Sequence, residues 1–211
     1  MAGSFAERYR KLLADITGNS SSNYGYSLRA VETAEVQLGL RIPDALRDYY
    51  LSVGRHELNH VHNRILSPDD LSVSQRRLVF QEENQCVLYW GVRARTTAVD
   101  PMVFQTMDFE DGDWVAETRC SQFLPGMLCW YATGSMPHAG YSDQMDAVVA
   151  RRLMRGWPLA GRSGVHSAFV RNGQVVCVEE SGAGVMMSLG TRSSKDFKAL
   201  VSELGIGIHE R

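Results

Sequence analysis

Apolar residues recur with a helical period in the first quarter of the chain. Tyr9 and Leu13, with their helically spaced apolar neighbours, predict an amphipathic N-terminal helix within residues 1–17. Residues 18–26 are polar and contain glycine, which predicts a linker after that helix. The chain therefore opens with a helix that has one apolar face to bury.

Two more helices are predicted before residue 54. Ser27 is a suitable N-cap for the first of them, and Gly39 supplies its C-terminal stop. Pro43 is tolerated in a first helical turn and opens the next helix, which Gly54 ends. The inward positions of the two helices are Val31, Ala34, Leu38, Leu46, Tyr49, Tyr50 and Val53.

The central stretch, residues 78–92, has the pattern of a β-hairpin. Two runs of β-branched, aromatic and aliphatic residues flank a short polar segment, and the second run, which includes Trp90, closes on Gly91. A hairpin loop on two paired strands suits recognition of another molecule better than catalysis. The residues predicted to contact a partner are Glu82, Glu83, Asn84 and Gln85.

Two further hairpins are predicted downstream. Their strand pairs are 103–107 with 114–118 and 165–171 with 174–179. Asp111-Gly112 and Asn172-Gly173 are turn dipeptides that accept positive φ, and Asn172-Gly173 is the clearer signal.

Helical segments accompany these hairpins. One helix is predicted over 143–154 and a last one from a Ser194 cap to Gly205. The apolar stretch 123–132 is predicted to be broken at Pro125 and Gly126.

Three hairpins correspond to about six strands, enough for one mainly antiparallel sheet with the N-terminal and later helices packed against it. The predicted fold class is α+β, as a single domain over residues 1–211. Residues 28–125 form its better-defined region, and 126–211 form a C-terminal part with the Asn-Gly hairpin and the final helix.

Composition and charge disfavour several classes of function. The net charge of −2 offers no basic excess for nucleic acid, and no apolar run is long enough to span a bilayer. The N-terminal residues contain too many charges for a secretory signal, and the four cysteines have no C-x-x-C spacing. We expect reduced thiols in apolar surroundings, no cofactor, and a cytoplasmic protein.

The segment VETAEVQLGLRIPDALRDYYLSVG resembles the N-terminal signature of the SUKH superfamily, the Smi/Knr-type family. An Ala-Glu helix, a Leu-Gly end, an apolar-x-apolar-Pro turn and a helix with paired aromatics follow in that order. The matching residues are Ala34, Glu35, Leu38, Gly39, Leu40, Ile42, Pro43, Leu46, Tyr49 and Tyr50.

The resemblance extends to about residue 125. Later matching positions are Glu83-Asn84-Gln85, Trp90-Gly91, Asp100-Pro101 with Val103, and Trp114. The resemblance implies a non-enzymatic α+β domain. Many bacterial members are immunity proteins that bind and neutralise a toxin, and fungal relatives are interaction hubs that regulate cell-wall synthesis. It implies structural roles for Leu38, Gly39, Pro43, Tyr49, Tyr50, Trp90, Gly91 and Trp114.

The enzymatic alternative is a zinc-dependent hydrolase, and it rests on residues 56–60, HELNH, which match the pattern H-E-x-x-H. On an α-helix, His56 and His60 would lie one turn apart to bind zinc, with Glu57 activating a water molecule. Gly54 and polar neighbours disfavour a buried zinc helix, and no third ligand is marked.

The leading expectation is a binding module, an immunity-type protein with a toxin as partner. Two interpretations of the hairpin residues remain open. Trp90 is either a core aromatic or part of the contact surface, and Glu82 and Glu83 are either solvated turn residues or partner contacts. The identity of the partner and the oligomeric state are not indicated by the sequence.

Overall fold

The computed structural model describes residues 4–20 and 23–210. The chain divides into two compact units, Met1–Arg10 with Ser21–Phe123, and Lys11–Ser20 with Leu124–Arg211. Below they are called the N-terminal and the C-terminal unit. The predicted α+β class is confirmed, but each unit has its own antiparallel sheet where one sheet was expected. The single domain over 1–211 stays a prediction.

The six α-helices of the described residues are α1 Phe5–Thr17, α2 Leu28–Leu38, α3 Asp44–Ser52, α4 Cys120–Ser135, α5 Ala147–Leu153 and α6 Ser194–Leu204. The N-terminal cap of α2 is Ser27, whose hydroxyl accepts from the Ala30 amide. Gly39 ends that helix in the left-handed conformation, at φ 63°. Both ends of α2 were predicted from sequence, because capping chemistry is local.

The N-terminal unit contains six strands, β1 Arg64–Ile65, β2 Ser72–Ser74, β3 Arg77–Glu82, β4 Tyr89–Arg93, β5 Met102–Thr106 and β6 Val115–Arg119. Their order is β1-β3-β4-β5-β6, and β2 also pairs with β3. The central hairpin is confirmed, with Leu78 opposite Val92 and Glu82 opposite Tyr89. A register shift between Val79 and Gln81 accommodates Phe80 as a bulged residue.

The C-terminal unit also contains six strands, β7 His138–Ser142, β8 Leu159–Ser163, β9 His166–Arg171, β10 Gln174–Ser181, β11 Gly184–Thr191 and β12 Ile208–Glu210. Their order is β12-β7-β11-β10-β9-β8. The Asn172-Gly173 hairpin between β9 and β10 is confirmed, and both turn residues have positive φ, 52° and 77°. A core cluster joins α5 and α6 to β10 and β11 through Ala150, Leu200, Val176 and Met187.

The predicted break at Pro125 and Gly126 is wrong, because helix α4 is continuous from Cys120 to Ser135. Proline in a helix interior costs about 3 kcal/mol. Each fully buried large apolar side chain contributes about 1.5–3 kcal/mol, so the burial of this helix outweighs that cost. Its buried residues include Phe123, Leu124, Met127, Leu128, Cys129, Tyr131 and Ala132.

Three local predictions need correction. Pro43 is the N-cap of α3 and lies just before its first turn. The cap of α6 is Ser193, whose hydroxyl accepts from the Asp196 amide, and Ser194 is the first helical residue. Asp111-Gly112 is not a two-residue turn, because β5 and β6 are joined by the longer loop 107–114.

Gly126 is required where helix α4 passes strand β8 inside the C-terminal unit. A Cβ atom on Gly126 would lie 2.8 and 2.9 Å from the backbone carbon and nitrogen of Arg162. Backbone atoms of a paired strand cannot move aside as a flexible side chain does. We therefore expect Gly126→Ala to destabilise the protein by about 1–3 kcal/mol, in spite of the intrinsic preference of alanine for helices.

Urea unfolding followed by circular dichroism measures this difference. Gly207→Ala is the matched control, because no heavy atom lies within 4 Å of a Cβ at that position. Equal unfolding midpoints for the two variants would contradict the close approach of α4 to β8.

Candidate partner-binding face

The loop between β3 and β4, residues 83–88, holds the predicted contact residues in two different environments. Glu82 is the last residue of β3, and its carboxylate accepts from the Arg64 guanidinium at 2.6 and 2.9 Å. The Glu83 carboxylate accepts from the backbone amide of Gln85 at 2.8 Å. Asn84 and Gln85 are exposed. The two glutamates therefore shape the loop, while its amide side chains face solvent.

The backbone of this loop is closed by two further bonds. The Glu83 amide donates to the Leu88 carbonyl, and the Cys86 amide donates to the Glu83 carbonyl, both at 2.8 Å. Cys86 adopts positive φ, 56°, and is exposed, which corrects the expectation that all four cysteines have apolar surroundings. The loop is thus a defined turn that presents a fixed surface.

An open recess of about 280 Å³ lies where this loop meets the end of the β5–β6 hairpin. Cross-strand pairing creates it, since Tyr89 lies opposite Thr106 and Gln105 lies opposite Val115. The recess is lined by Leu88, Gln105, Thr106, Met107, Asp108, Gly112, Asp113 and Val115. Met107 is 77% exposed and Val115 is 60% exposed, so large apolar side chains face solvent here.

Loop 107–114 is held in shape by one aspartate. The Asp108 carboxylate accepts from the backbone amides of Glu110 and Asp111 at 2.9 and 3.1 Å. The Thr106 hydroxyl donates to the Asp108 carbonyl at 3.0 Å. A Cβ on Gly112 would lie 2.2 Å from that hydroxyl oxygen, so a glycine lets the loop fold over Thr106. Glu110, Asp111 and Asp113 have no ion-pair partner among the described residues.

Two acidic residues, Asp108 and Asp113, therefore border an apolar centre on this face. We name it the acidic recess, defined by the lining residues above. Exposed apolar side chains that cluster with a polar rim mark interaction sites in many proteins. The negative rim would complement a partner with basic residues around an apolar side chain.

The sequence predicts partner contacts at residues 82–85 and does not indicate the recess beside them. The signal was present in Met107 and Val115, apolar residues at the ends of two predicted strands beside an acidic turn. Only the pairing of β4, β5 and β6 brings them next to Leu88.

The H-E-x-x-H residues do not lie on an α-helix. Glu57–His60 form a single 3₁₀ turn, and His56 is its N-cap, with Nδ1 accepting from the Leu58 amide at 3.2 Å. Burial lowers the pKa of His56, and its ring packs edge-on against Tyr24. His60 is exposed. The one-turn spacing that the zinc pattern requires is therefore not formed.

Asn59, between these histidines, is the residue that the local fold depends on. It is fully buried, accepts from the Tyr49 hydroxyl at 2.6 Å, and donates to the carbonyls of Val53 and Gly54 at 2.8 and 3.2 Å. The segment thus joins the end of α3 to the first strand through a buried amide, which is a structural role.

The other family-like residues lie in the core or at turns. The Glu35 carboxylate accepts from the Ile42 amide at 2.9 Å and so holds the turn that leads to Pro43. Tyr49 and Tyr50 are buried, and the Tyr50 hydroxyl donates to the Leu66 carbonyl at 2.8 Å. Leu38 is half-buried at the end of α2, ahead of the Gly39 cap.

The aromatic and glycine positions of the hairpin divide between two faces of the sheet. Trp90 is buried against Phe123, with ring centroids 6.1 Å apart, which identifies it as a core residue. Gly91 lies on the opposite face, where a Cβ would lie 2.9 Å from the Leu78 carbonyl oxygen. Trp114 is half-buried just before β6, and its indole nitrogen is buried.

No disulfide forms among the cysteines. Burial raises the pKa of the Cys120, Cys129 and Cys177 thiols, so these three sulfurs stay protonated and unreactive. Within residues 4–20 and 23–210, no group of three or more His, Cys, Asp or Glu side chains is arranged around a common metal position. No helix in the same ranges combines the length and hydropathy needed to cross a membrane.

The different roles of Asn59 and His60 can be tested directly. We expect Asn59→Ala to reduce the free energy of unfolding by about 2–3 kcal/mol, because buried partners lose their hydrogen bonds. His60→Ala, at an exposed position of the same turn, is the control and should change stability by less than about 0.5 kcal/mol. Thermal and urea unfolding measure both; a larger loss for His60→Ala would contradict the assignment.

Comparisons of the chain with protein-family models, with curated proteins and with solved structures gave no match. The resemblance to the SUKH superfamily therefore stays a prediction that rests on the order of its motifs.

Proposed function

We propose that this protein is a non-enzymatic binding module, an immunity-type protein that neutralises a toxin by direct contact at the acidic recess. The observation that carries the proposal is an apolar centre, Leu88, Met107 and Val115, bordered by Asp108 and Asp113, which have no cationic partner among the described residues. The order of SUKH-like motifs supports the same class of function.

The recess has the chemical features of a contact site for a basic protein. Met107 has an unbranched, polarisable side chain that adapts to the shape of a partner. Asp113 and its acidic neighbours would attract lysine and arginine side chains, accelerate association and fix the orientation of the complex. A toxin whose own target is a polyanion carries such a basic surface, so an acidic recess would compete for the surface that binds the target.

The hairpin loop contributes a defined shape and the side-chain amides of Asn84 and Gln85 to this face. Glu82 is engaged with Arg64 and Glu83 with the loop backbone, so both are assigned to positioning. Asn84 and Gln85 are exposed and offer hydrogen-bond donors and acceptors beside the recess. Within the sequence-predicted set, these two are the direct contacts in our proposal.

The immunity role is tested by expressing the protein together with the product of each adjacent reading frame. We expect one of those products to arrest growth when expressed alone, and co-expression to restore growth and yield a complex of the two purified proteins. A toxin that forms no complex with this protein, or whose effect persists in spite of it, would contradict neutralisation by contact.

The recess is tested by placing a charge in its apolar centre. We expect Met107→Glu to weaken binding of that toxin about 30-fold or more, since central apolar contacts contribute about 2 kcal/mol or more each. Val36→Glu is the matched control, because Val36 is 81% exposed on helix α2 and belongs to no part of the recess. Calorimetric titration measures both affinities.

Both substitutions are at exposed positions and should leave the unfolding temperature unchanged within a few degrees. Equal affinity of the two variants for the toxin would place the contact surface elsewhere on the molecule.

A further inference from the structure

Two arginines lie directly opposite each other at the end of the central hairpin remote from its loop. Arg77, the first residue of β3, is the register partner of Arg93, the last residue of β4. Like charges at opposed cross-strand positions destabilise a sheet. Arg76 and Arg95 are the sequence neighbours, and both are exposed with positive φ, 61° and 59°.

None of these four guanidinium groups has a carboxylate within ion-pair distance among the described residues. A like-charged pair without such a partner breaks a local rule of sheet design, and such exceptions concentrate at functional sites.

Aromatic rings hold the two guanidinium groups in place. The Arg77 Cζ lies 4.3 Å from the centroid of the Phe104 ring and 5.9 Å from that of Trp114. The Arg93 Cζ lies 5.9 Å from the same Phe104 ring. Cation–π contact orients both side chains over one ring.

Gly91 allows the Arg77 side chain to reach the Phe104 ring. Phe104 lies on β5, and β4 runs between it and β3, so the Arg77 side chain has to cross β4 to reach the ring. Gly91 pairs with both Val79 and Phe104, and a Cβ there would lie 3.2 Å from the Cβ of Arg77. The absence of a side chain at this position gives Arg77 its path over the strand.

Two hydrogen-bond donors in this cluster are buried and have no acceptor among the residues that the structure describes. They are Nε of Arg77 and the indole Nε1 of Trp114. A buried donor without a partner costs about 1–3 kcal/mol. Burial and the neighbouring Arg93 charge also lower the pKa of Arg77, so the site disfavours its own positive charge.

Loop 107–114 adjoins this cluster and carries Glu110, Asp111 and Asp113, but none of these carboxylates lies within ion-pair distance of Arg77 or Arg93. The side chains of Ser74 and Gln75 donate to the carbonyls of Phe109 and Glu110 and so dock loop 107–114 through its backbone. The Asp108 carboxylate accepts from amides of its own loop. Within the part of the chain that the structure describes, Nε of Arg77 and Nε1 of Trp114 thus remain without an acceptor.

We propose that Arg77, Arg93 and Trp114 form a binding site for an oxyanion, a phosphate or carboxylate group that accepts from both guanidinium groups and the indole N–H. Guanidinium groups match such oxygen pairs geometrically, and charge-assisted hydrogen bonds are the stronger class. The bound anion would neutralise the opposed arginines and satisfy the buried donors. This site lies outside the acidic recess and is independent of the proposed function.

The experiment is a titration of the purified full chain with sodium phosphate, and in a second arm with sodium acetate, at constant ionic strength kept with chloride. ¹H–¹⁵N NMR follows the indole N–H of Trp114, assigned with Trp114→Phe, and the Nε–H of Arg77. We expect saturable shifts of both signals in at least one arm. The arm that saturates at lower concentration identifies phosphate or carboxylate as the preferred group.

Arg93→Gln should weaken the association constant about tenfold or more, because one charged donor group is removed. Arg29→Gln is the matched control, since Arg29 is an exposed arginine on α2 of the same unit, and it should retain wild-type affinity. If neither anion shifts the two signals of the wild-type protein, or if both variants respond as the wild type does, the proposal is wrong.

Discussion

The antiparallel register of β3 and β4 is the constraint on which both ends of the central hairpin depend. With Leu78 opposite Val92, Trp90 is directed into the core and Gly91 lies on the other face. A slip of one residue would exchange those two positions and expose the indole. The same register closes loop 83–88 beside the recess and sets Arg77 opposite Arg93 at the far end.

The hairpin therefore has different chemistry at its two ends. Apolar side chains bordered by Asp108 and Asp113 line the recess where β4, β5 and β6 approach the loop, while guanidinium groups and aromatic rings collect where β3 begins and β4 ends. The net charge of −2 is a sum over the whole sequence and indicates neither region.

The motifs that resemble the SUKH superfamily have a physical explanation in this fold. The Glu35 carboxylate accepts a hydrogen bond from the Ile42 amide and so fixes the turn between α2 and α3. The Tyr50 hydroxyl donates a hydrogen bond to the Leu66 carbonyl and so connects α3 to the segment after β1. Gly91 leaves room for the Arg77 side chain to cross β4. These residues hold a shape, and the exposed residues around it, such as Met107, supply the contacts we propose.

Sequence alone determined what depends on near neighbours: the Ser27 and Gly39 caps of α2, the Asn172-Gly173 turn, the central hairpin and the α+β class. Tertiary structure decided the rest. Helix α4 continues through Pro125 because burial along its length outweighs one lost hydrogen bond, and β11 pairs with β7 across more than 40 intervening residues. The recess and the arginine pair likewise arise from strand pairing, so residues that look ordinary in the sequence acquire their chemistry only from neighbours that the fold brings to them.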